Sequence, residues 1–182
     1  MENPANNVKK VLLTESEISK RVKQLGEQIT EDYKDSSNLL VVGILKGSFV
    51  FFSDLIREIN LPIEIDFMAV SSYQDTTISS GEVKIIKDVG TTVAKKNILF
   101  VEDIIDTGFT MMKVMEMFKE RGANSVKLCA LTSKPDRRKV KVNIDYLGFE
   151  IPDEFIIGYG LDYAEKYRNL PYIGVLKEET YM

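Results

Sequence analysis

Asn97 to Thr110 reads NILFVEDIIDTGFT, and this stretch decides the fold. Asn97 to Val101 is a short continuous apolar run, the pattern of a strand buried on both faces. It delivers two adjacent carboxylates, Glu102 and Asp103, then a third at Asp106. Thr107-Gly108-Phe109-Thr110 follows and opens a helix, with Gly122 as its C′ residue. A Thr-Gly-x-Thr helix start suits phosphate, because backbone N–H groups point outward, hydroxyls donate and Gly permits close approach. Three nearby carboxylates would repel a bare phosphate. The conflict resolves if they meet sugar hydroxyls or a magnesium ion, so a sugar phosphate with a free diol satisfies every group. A lone acid there would more simply end a strand or cap a helix. Capping one helix does not need three acids and two threonines.

Working outward, Asn38 to Ile44 (NLLVVGI) and Val126 to Leu131 repeat the buried-strand pattern. Thr14 and Glu17 have capping-box spacing ahead of Ile18, Val22, Leu25, Ile29 and Tyr33, an amphipathic helix. Ser48 to Ile59 reads as a second helix, stopped near Asn60 and Pro62. Strands are expected at Ile63–Val70, Glu82–Asp88, Ile144–Phe149, Phe155–Gly158 and Tyr172–Leu176. Between the first two lie eleven mostly polar residues, Ser71 to Gly81; a loop of that length is often functional. Alternation of such strands with helices predicts an α/β fold, a largely parallel central sheet flanked by helices, in one domain spanning residues 1–182. Ligands of such sheets bind beyond the carboxyl ends of the strands. Leu45–Ser48, Glu102–Thr110 and Thr132–Asp136 are the loops placed there.

Composition narrows the chemistry. The 182 residues carry 24 Lys plus Arg against 28 Asp plus Glu, a net charge of −4, with 44% hydrophobic and 29% charged residues. That is a soluble globule's mix, and the mild acidity argues against a nucleic-acid binder. There is no His, which removes Ser-His-Asp, Cys-His and His-ligated metal chemistry. The one cysteine, Cys129, cannot form an intrachain disulfide and reads as a buried, inert thiol. No apolar run approaches the roughly 20 residues that span a bilayer, and Met1 to Lys10 lacks a signal-peptide core. The expectation is a cytoplasmic protein with no membrane partner. Proton transfer falls to Asp, Glu, Lys, Tyr or Cys, and any metal to oxygen ligands, which favours Mg2+. Two other phosphate motifs fail: Gly43–Ser48 lacks the P-loop spacing, and Gly158-Tyr159-Gly160 has Tyr163 where a dinucleotide fingerprint needs Gly.

VEDIIDTGFT (Val101–Thr110) resembles the phosphoribosyl-pyrophosphate motif of type I phosphoribosyltransferases. GILKGSFVFFSDLI (Gly43–Ile56), DFMAVSSY (Asp66–Tyr73), SKPDRR (Ser133–Arg138) and GFEIPDEFIIGYGLDYAEKYRNLPYIGVL (Gly148–Leu176) extend the resemblance, in order, to the bacterial hypoxanthine(-guanine) phosphoribosyltransferases. The resemblance implies a small hood built from the chain ends above the sheet. It implies purine salvage: a 6-oxopurine joined to 5-phosphoribosyl 1-pyrophosphate, giving IMP or GMP and pyrophosphate.

Residue by residue, it implies that Glu102 and Asp103 hold the ribose hydroxyls and that Asp106 is the general base or acid near purine N7. Thr107, Gly108, Phe109 and Thr110 would wrap the 5′-phosphate, with Phe109 standing where relatives carry Lys or Leu. Lys46, Gly47 and Arg168 would bind pyrophosphate, with a cis peptide before Lys46. Lys134 would donate to the purine 6-oxygen, Phe155 would stack on the base, the Ile156 backbone would meet its edge and Leu161 would pack opposite. Without the resemblance, Lys46 and Lys134 read as solvated lysines and Phe155, Ile156 and Leu161 as core. Asp162, with Glu102 and Asp103, would serve Mg2+, and Ser72 and Tyr73 would begin a mobile loop over the site. Homodimers or homotetramers are implied, with small-molecule partners. A xanthine-preferring enzyme and a non-catalytic regulator are the alternatives; such a regulator should lose the base-site acid or gain a basic segment, whereas Asp106 and Lys134 are present.

Overall fold

The computed structural model describes residues 3–72 and 83–181. In chain order the elements are β1 (Val8–Leu13), α1 (Glu15–Tyr33), β2 (Leu39–Leu45), α2 (Phe49–Glu58), β3 (Glu64–Ser72), β4 (Val83–Lys87), β5 (Asn97–Ile105), α3 (Phe109–Glu120), β6 (Ser125–Ser133), β7 (Tyr146–Glu150), β8 (Ile156–Ile157) and β9 (Ile173–Leu176). Ser71 and Ser72, expected to open the polar loop, instead finish β3, while Tyr73 and the rest of that loop lie outside the described residues.

The main sheet has six strands in the order β4-β3-β2-β5-β6-β7. β3, β2, β5, β6 and β7 run parallel, and only β4 is antiparallel to its neighbour. Apolar runs such as Leu39–Ile44 sit inside it because both faces are covered. On one face α1 and α2 pack Ile18, Leu25, Phe51 and Leu55 against Val41, Leu99 and Val101. On the other, α3 packs Val114 and Phe118 against Leu40, Ile98 and Phe100. Each fully buried Leu, Val, Ile or Phe contributes about 1.5–3 kcal/mol of transfer free energy. Truncating the fully buried Leu25 to Ala should cost about 2–5 kcal/mol. α1 starts as its sequence dictates: the Thr14 hydroxyl accepts from Glu17 N–H at 3.3 Å, and Glu17 accepts from Thr14 N–H at 2.8 Å.

β1, β9 and β8 form a second, three-stranded sheet that joins the two ends of the chain. Val8 pairs with Leu176, and Ile156 with Val175. The short strand β1 was not anticipated; its burial pattern shows no clean alternation.

Two strand boundaries need correction. β5 continues through Glu102 and Asp103 to Ile105, and β6 continues through Thr132 to Ser133. Both extensions are held by parallel pairing, Ile104 with Thr132 and Ile105 with Ser133. The loops that leave the sheet are therefore shorter than their sequence suggests.

Candidate active site

Chain order reverses between β2 and β5: β2 leads outward to β3, and β5 returns on its other side. That is the topological switch point, where parallel sheets open a crevice at their carboxyl ends. Lys46 and Gly47 follow β2, Asp106 follows β5 and Lys134 follows β6.

Glu102 and Asp103 reach the end of β5 from different sides. They are consecutive on β5, so their side chains leave opposite faces of the sheet. Asp103 lies on the α2 side, 8% exposed, and closes against the loop after β2. A Cβ built on Gly47 would stand 1.8 Å from Asp103 Oδ2, so any larger residue would have to displace one of the two. Burial pushes the Asp103 carboxyl up to about 6, with the Ile104 N–H and the Arg168 guanidinium opposing and Asp162 adding to the rise. Burial, and then the charge of Asp103, push Glu102 well above the ordinary carboxylate range. Glu102 Oε2 is buried with no hydrogen-bond partner among the described residues.

The pyrophosphate candidates form a second group. The Leu45–Lys46 peptide is cis, as the resemblance implied. Lys46 Nζ donates to Glu165 Oε2 at 2.9 Å. Arg168 pairs with Asp162 at 2.9 Å and donates to the Gly160 carbonyl at 2.8 Å. Glu165 thus joins Lys46 to Arg168, which stands 3.4 Å away, a link that sequence spacing does not reveal. Beside it lies a cavity of about 1000 Å³ lined by Phe49, Asp54, Tyr159, Lys166 and others. The cavity shares Glu165 and Arg168 with this group but includes none of Asp103, Asp106, Lys134 or Phe155.

Past β5 the chain turns through Asp106 and Thr107 into α3. Gly108 takes φ +90°, a left-handed conformation that L side chains rarely adopt, and forms the helix N-cap without a side-chain cap. The first N–H groups of α3, from Phe109, Thr110 and Met111, have no acceptor within the helix and are donors for an anion. Phe109 is the first helical residue and adds a backbone donor there. Arg138 secures the turn: its Nε donates to the Asp106 carbonyl at 3.0 Å and its Nη2 to Ser133 Oγ at 2.7 Å.

Lys134 is not the solvated lysine its local sequence suggests. It is 9% exposed, and its Nζ donates to the Glu154 carbonyl at 2.8 Å and to Asp153 at 3.3 Å. Ile156 and Leu161 are buried at 6% and 7%, whereas the Phe155 ring is 40% exposed. Phe155 stacks on Tyr181 at 5.1 Å between centroids, and Tyr163 meets its edge at 5.5 Å. Neither tyrosine is placed beside Phe155 by the sequence. Pairing of β9 with β8 holds the Phe155 backbone, whose carbonyl accepts from Leu176 N–H at 2.8 Å.

The oxygen ligands considered for Mg2+ are Glu102, Asp103 and Asp162. Among the described residues, no three acidic side chains converge as a ready metal cage. Their oxygens are nonetheless the donor type a hard cation takes, and such an ion commonly completes its shell with substrate oxygens and water. No helix among the described residues is long and apolar enough to cross a membrane.

This arrangement has counterparts. Residues 10–164 match the phosphoribosyl transferase domain. The chain is 52% identical over 176 residues to the hypoxanthine-guanine phosphoribosyltransferase of Bacillus subtilis, covering 97% of each. It is 54% identical over 175 residues to the protein of that name in Streptococcus mutans, covering 96% of this chain and 97% of that one. A crystal structure of a hypoxanthine phosphoribosyltransferase from Staphylococcus aureus superposes with a TM-score of 0.94 at 51% identity, covering 97% of this chain and 96% of that one. Fold and near-full-length similarity agree, and the chain belongs to the phosphoribosyl transferase family, among its hypoxanthine-guanine phosphoribosyltransferases.

Proposed function

We propose that this chain is a purine-salvage transferase, moving the phosphoribosyl group of 5-phosphoribosyl 1-pyrophosphate onto a 6-oxopurine to give IMP or GMP and pyrophosphate. The observation that carries the reading is that a buried acid, an open helix N-terminus and a buried lysine all stand at the carboxyl ends of the neighbouring strands β5 and β6. Those groups match a ribose diol, a 5′-phosphate and a 6-oxo group in turn.

In this reading Thr107 to Thr110 and the α3 N–H groups bind the 5′-phosphate. Glu102 and Asp103 receive the ribose hydroxyls; the burial of Asp103, 8% exposed, favours a hydrogen-bonding partner for its charge. Phe155 offers its exposed ring to the purine, Ile156 its backbone and Leu161 the opposing wall. The Lys134 ammonium, already donating to a carbonyl, has a further N–H for the 6-oxygen. The purine nitrogen bonds to ribose C1 as the C1–O bond to pyrophosphate breaks, through an oxocarbenium-like transition state. The purine N7 proton passes to Asp106. Lys46 and Arg168, with the Gly47 backbone, stabilise the charge gathering on the leaving pyrophosphate. Magnesium, held by Asp162, Glu102 or Asp103 together with substrate oxygens, would supply further charge neutralisation there. A reducing, cytoplasmic setting fits a chain whose single thiol, Cys129, is fully buried. Assembly into a dimer or tetramer belongs to the same reading and is checked by light scattering on the eluted protein.

The test is a spectrophotometric assay of hypoxanthine, guanine and xanthine with phosphoribosyl pyrophosphate. Nucleotide should form from hypoxanthine or guanine, stop with EDTA and resume with added magnesium. Absence of nucleotide from any purine would overturn the proposal, and full turnover in metal-free buffer would remove magnesium from it.

A further inference from the structure

Asp106 and Lys134 are joined by a chain of opposite charges. Arg137 Nε donates to Asp106 Oδ1 at 2.7 Å. Arg137 Nη1 reaches Asp153 Oδ2 at 3.4 Å, and Asp153 Oδ1 accepts from Lys134 Nζ at 3.3 Å. Signs alternate along Asp106, Arg137, Asp153 and Lys134. The two ends are the groups assigned to N7 and to the 6-oxygen, which are neighbouring positions on one purine edge. The adjacent arginines divide the work: Arg138 grips the backbone at Asp106, and Arg137 grips its side chain.

A stabilising role does not account for the Arg137–Asp106 half of this chain. The Arg137 and Asp106 side chains are 46% and 41% exposed, and exposed ion pairs add little to folding. What the chain does is fix direction. With Oδ1 held by Arg137, Asp106 keeps Oδ2 for a ligand proton. With Asp153 and the Glu154 carbonyl on its ammonium, Lys134 has its remaining N–H aimed in one direction. A charged group held in place before reaction costs less reorganisation when the reaction occurs.

We propose that Arg137 and Asp153 are positioning residues that set the spacing of Asp106 and Lys134, and so the register of the purine edge; this rests on the phosphoribosyl-transfer reading above. Neither residue takes a proton or forms a bond to substrate. Their removal should therefore act on the purine and spare the sugar phosphate.

The experiment is steady-state kinetics of Arg137→Gln, Arg137→Lys, Asp153→Asn and the Arg137→Gln/Asp153→Asn double variant, with hypoxanthine and phosphoribosyl pyrophosphate varied in turn. Misplaced reacting groups cost up to about 10²-fold, and Arg137→Gln should lose on the order of tenfold in kcat/KM for hypoxanthine. Its KM for phosphoribosyl pyrophosphate should stay within about twofold. Arg137→Lys, which keeps the charge without the fork, should recover part of the loss. The double variant should be no worse than the poorer single, because one chain is being cut twice. Hypoxanthine kinetics of Arg137→Gln within about twofold of wild type would overturn the proposal, as would a loss confined to phosphoribosyl pyrophosphate or fully additive singles. Wild-type protein that forms no nucleotide removes the phosphoribosyl-transfer reading as well. Active wild type with unaffected variants removes this inference alone.

Discussion

Asp103 and Gly47 meet where the carboxyl end of β5 faces the loop after β2, so closely that a Cβ on residue 47 would fall 1.8 Å from Asp103 Oδ2. The contact ties the ribose-binding candidate to the pyrophosphate-binding candidate across the switch point. Gly47→Ala must displace one of them. A misplacement near 1 Å costs on the order of 10²-fold in rate, and a loss of that size in kcat/KM is expected. Steady-state kinetics of the folded variant check it, and activity within about threefold of wild type would show that the two groups are not coupled.

Asp106→Asn keeps the size of the side chain and part of its hydrogen bonding to Arg137 but removes the proton acceptor. General acid–base help is worth about 10²–10⁴-fold, and kcat should fall by that order with a smaller change in KM for the sugar phosphate. Pre-steady-state measurement of nucleotide formation separates this chemistry from product release. An unchanged chemical step would assign the proton elsewhere.

Lys134→Gln tests base choice. An ammonium carries donors only, so a 6-amino group would face it donor to donor. Wild type should use 6-oxopurines and neglect adenine, since sites built around one polar pair discriminate by about 10⁴-fold or more. The Gln amide can donate or accept, and this variant should lose 6-oxopurine activity while narrowing the gap to adenine. Adenine used as well as hypoxanthine by wild type would contradict the assignment. So would unaltered base kinetics in the variant.

How much of this was legible in the sequence depends on range. NILFVEDIIDTGFT and its neighbouring apolar runs specify a buried strand, a turn and a helix through local pattern alone, and the structure has them. The end of β5 was misplaced because Glu102 and Asp103 look like loop residues. Only pairing with β6 keeps them in the sheet and sends them to opposite faces. Lys134 looked solvated beside Arg137 and Arg138, and its burial comes from Asp153 and Glu154 on a later segment. Arg137 with Asp106, Glu165 with Lys46 and Tyr181 with Phe155 are likewise contacts between distant residues, which no spacing rule reports. The family resemblance supplied roles for single residues but not the ion pairs between them.

Tyr33 gives a prediction about stability. It is 3% exposed, and its hydroxyl has no hydrogen-bond partner among the described residues. Burial first, then the charges of Asp145 and Asp32, push its phenol from 10.0 up to about 12, with the nearby Ser125 and Tyr146 hydroxyls opposing. The fold thus favours the neutral phenol. That contribution is fully present below pH 10 and is lost as pH rises from 10 towards 12. Tyr33→Phe removes the ionisation, so its Tm should fall less steeply than that of wild type across this window. At pH 7 the cost should be below about 1 kcal/mol, since the hydroxyl has at most long contacts to the Ser125 and Tyr146 hydroxyls to lose. Parallel Tm curves between pH 10 and 12 would contradict this.

The most direct test of phosphoribosyl transfer at this site follows both products at once by ³¹P NMR, with phosphoribosyl pyrophosphate, magnesium and hypoxanthine. Pyrophosphate and the 5′-monophosphate of IMP should appear one for one, and neither should form when hypoxanthine is omitted. Pyrophosphate released without the purine, or a mixture that stays unchanged with it, would contradict the account.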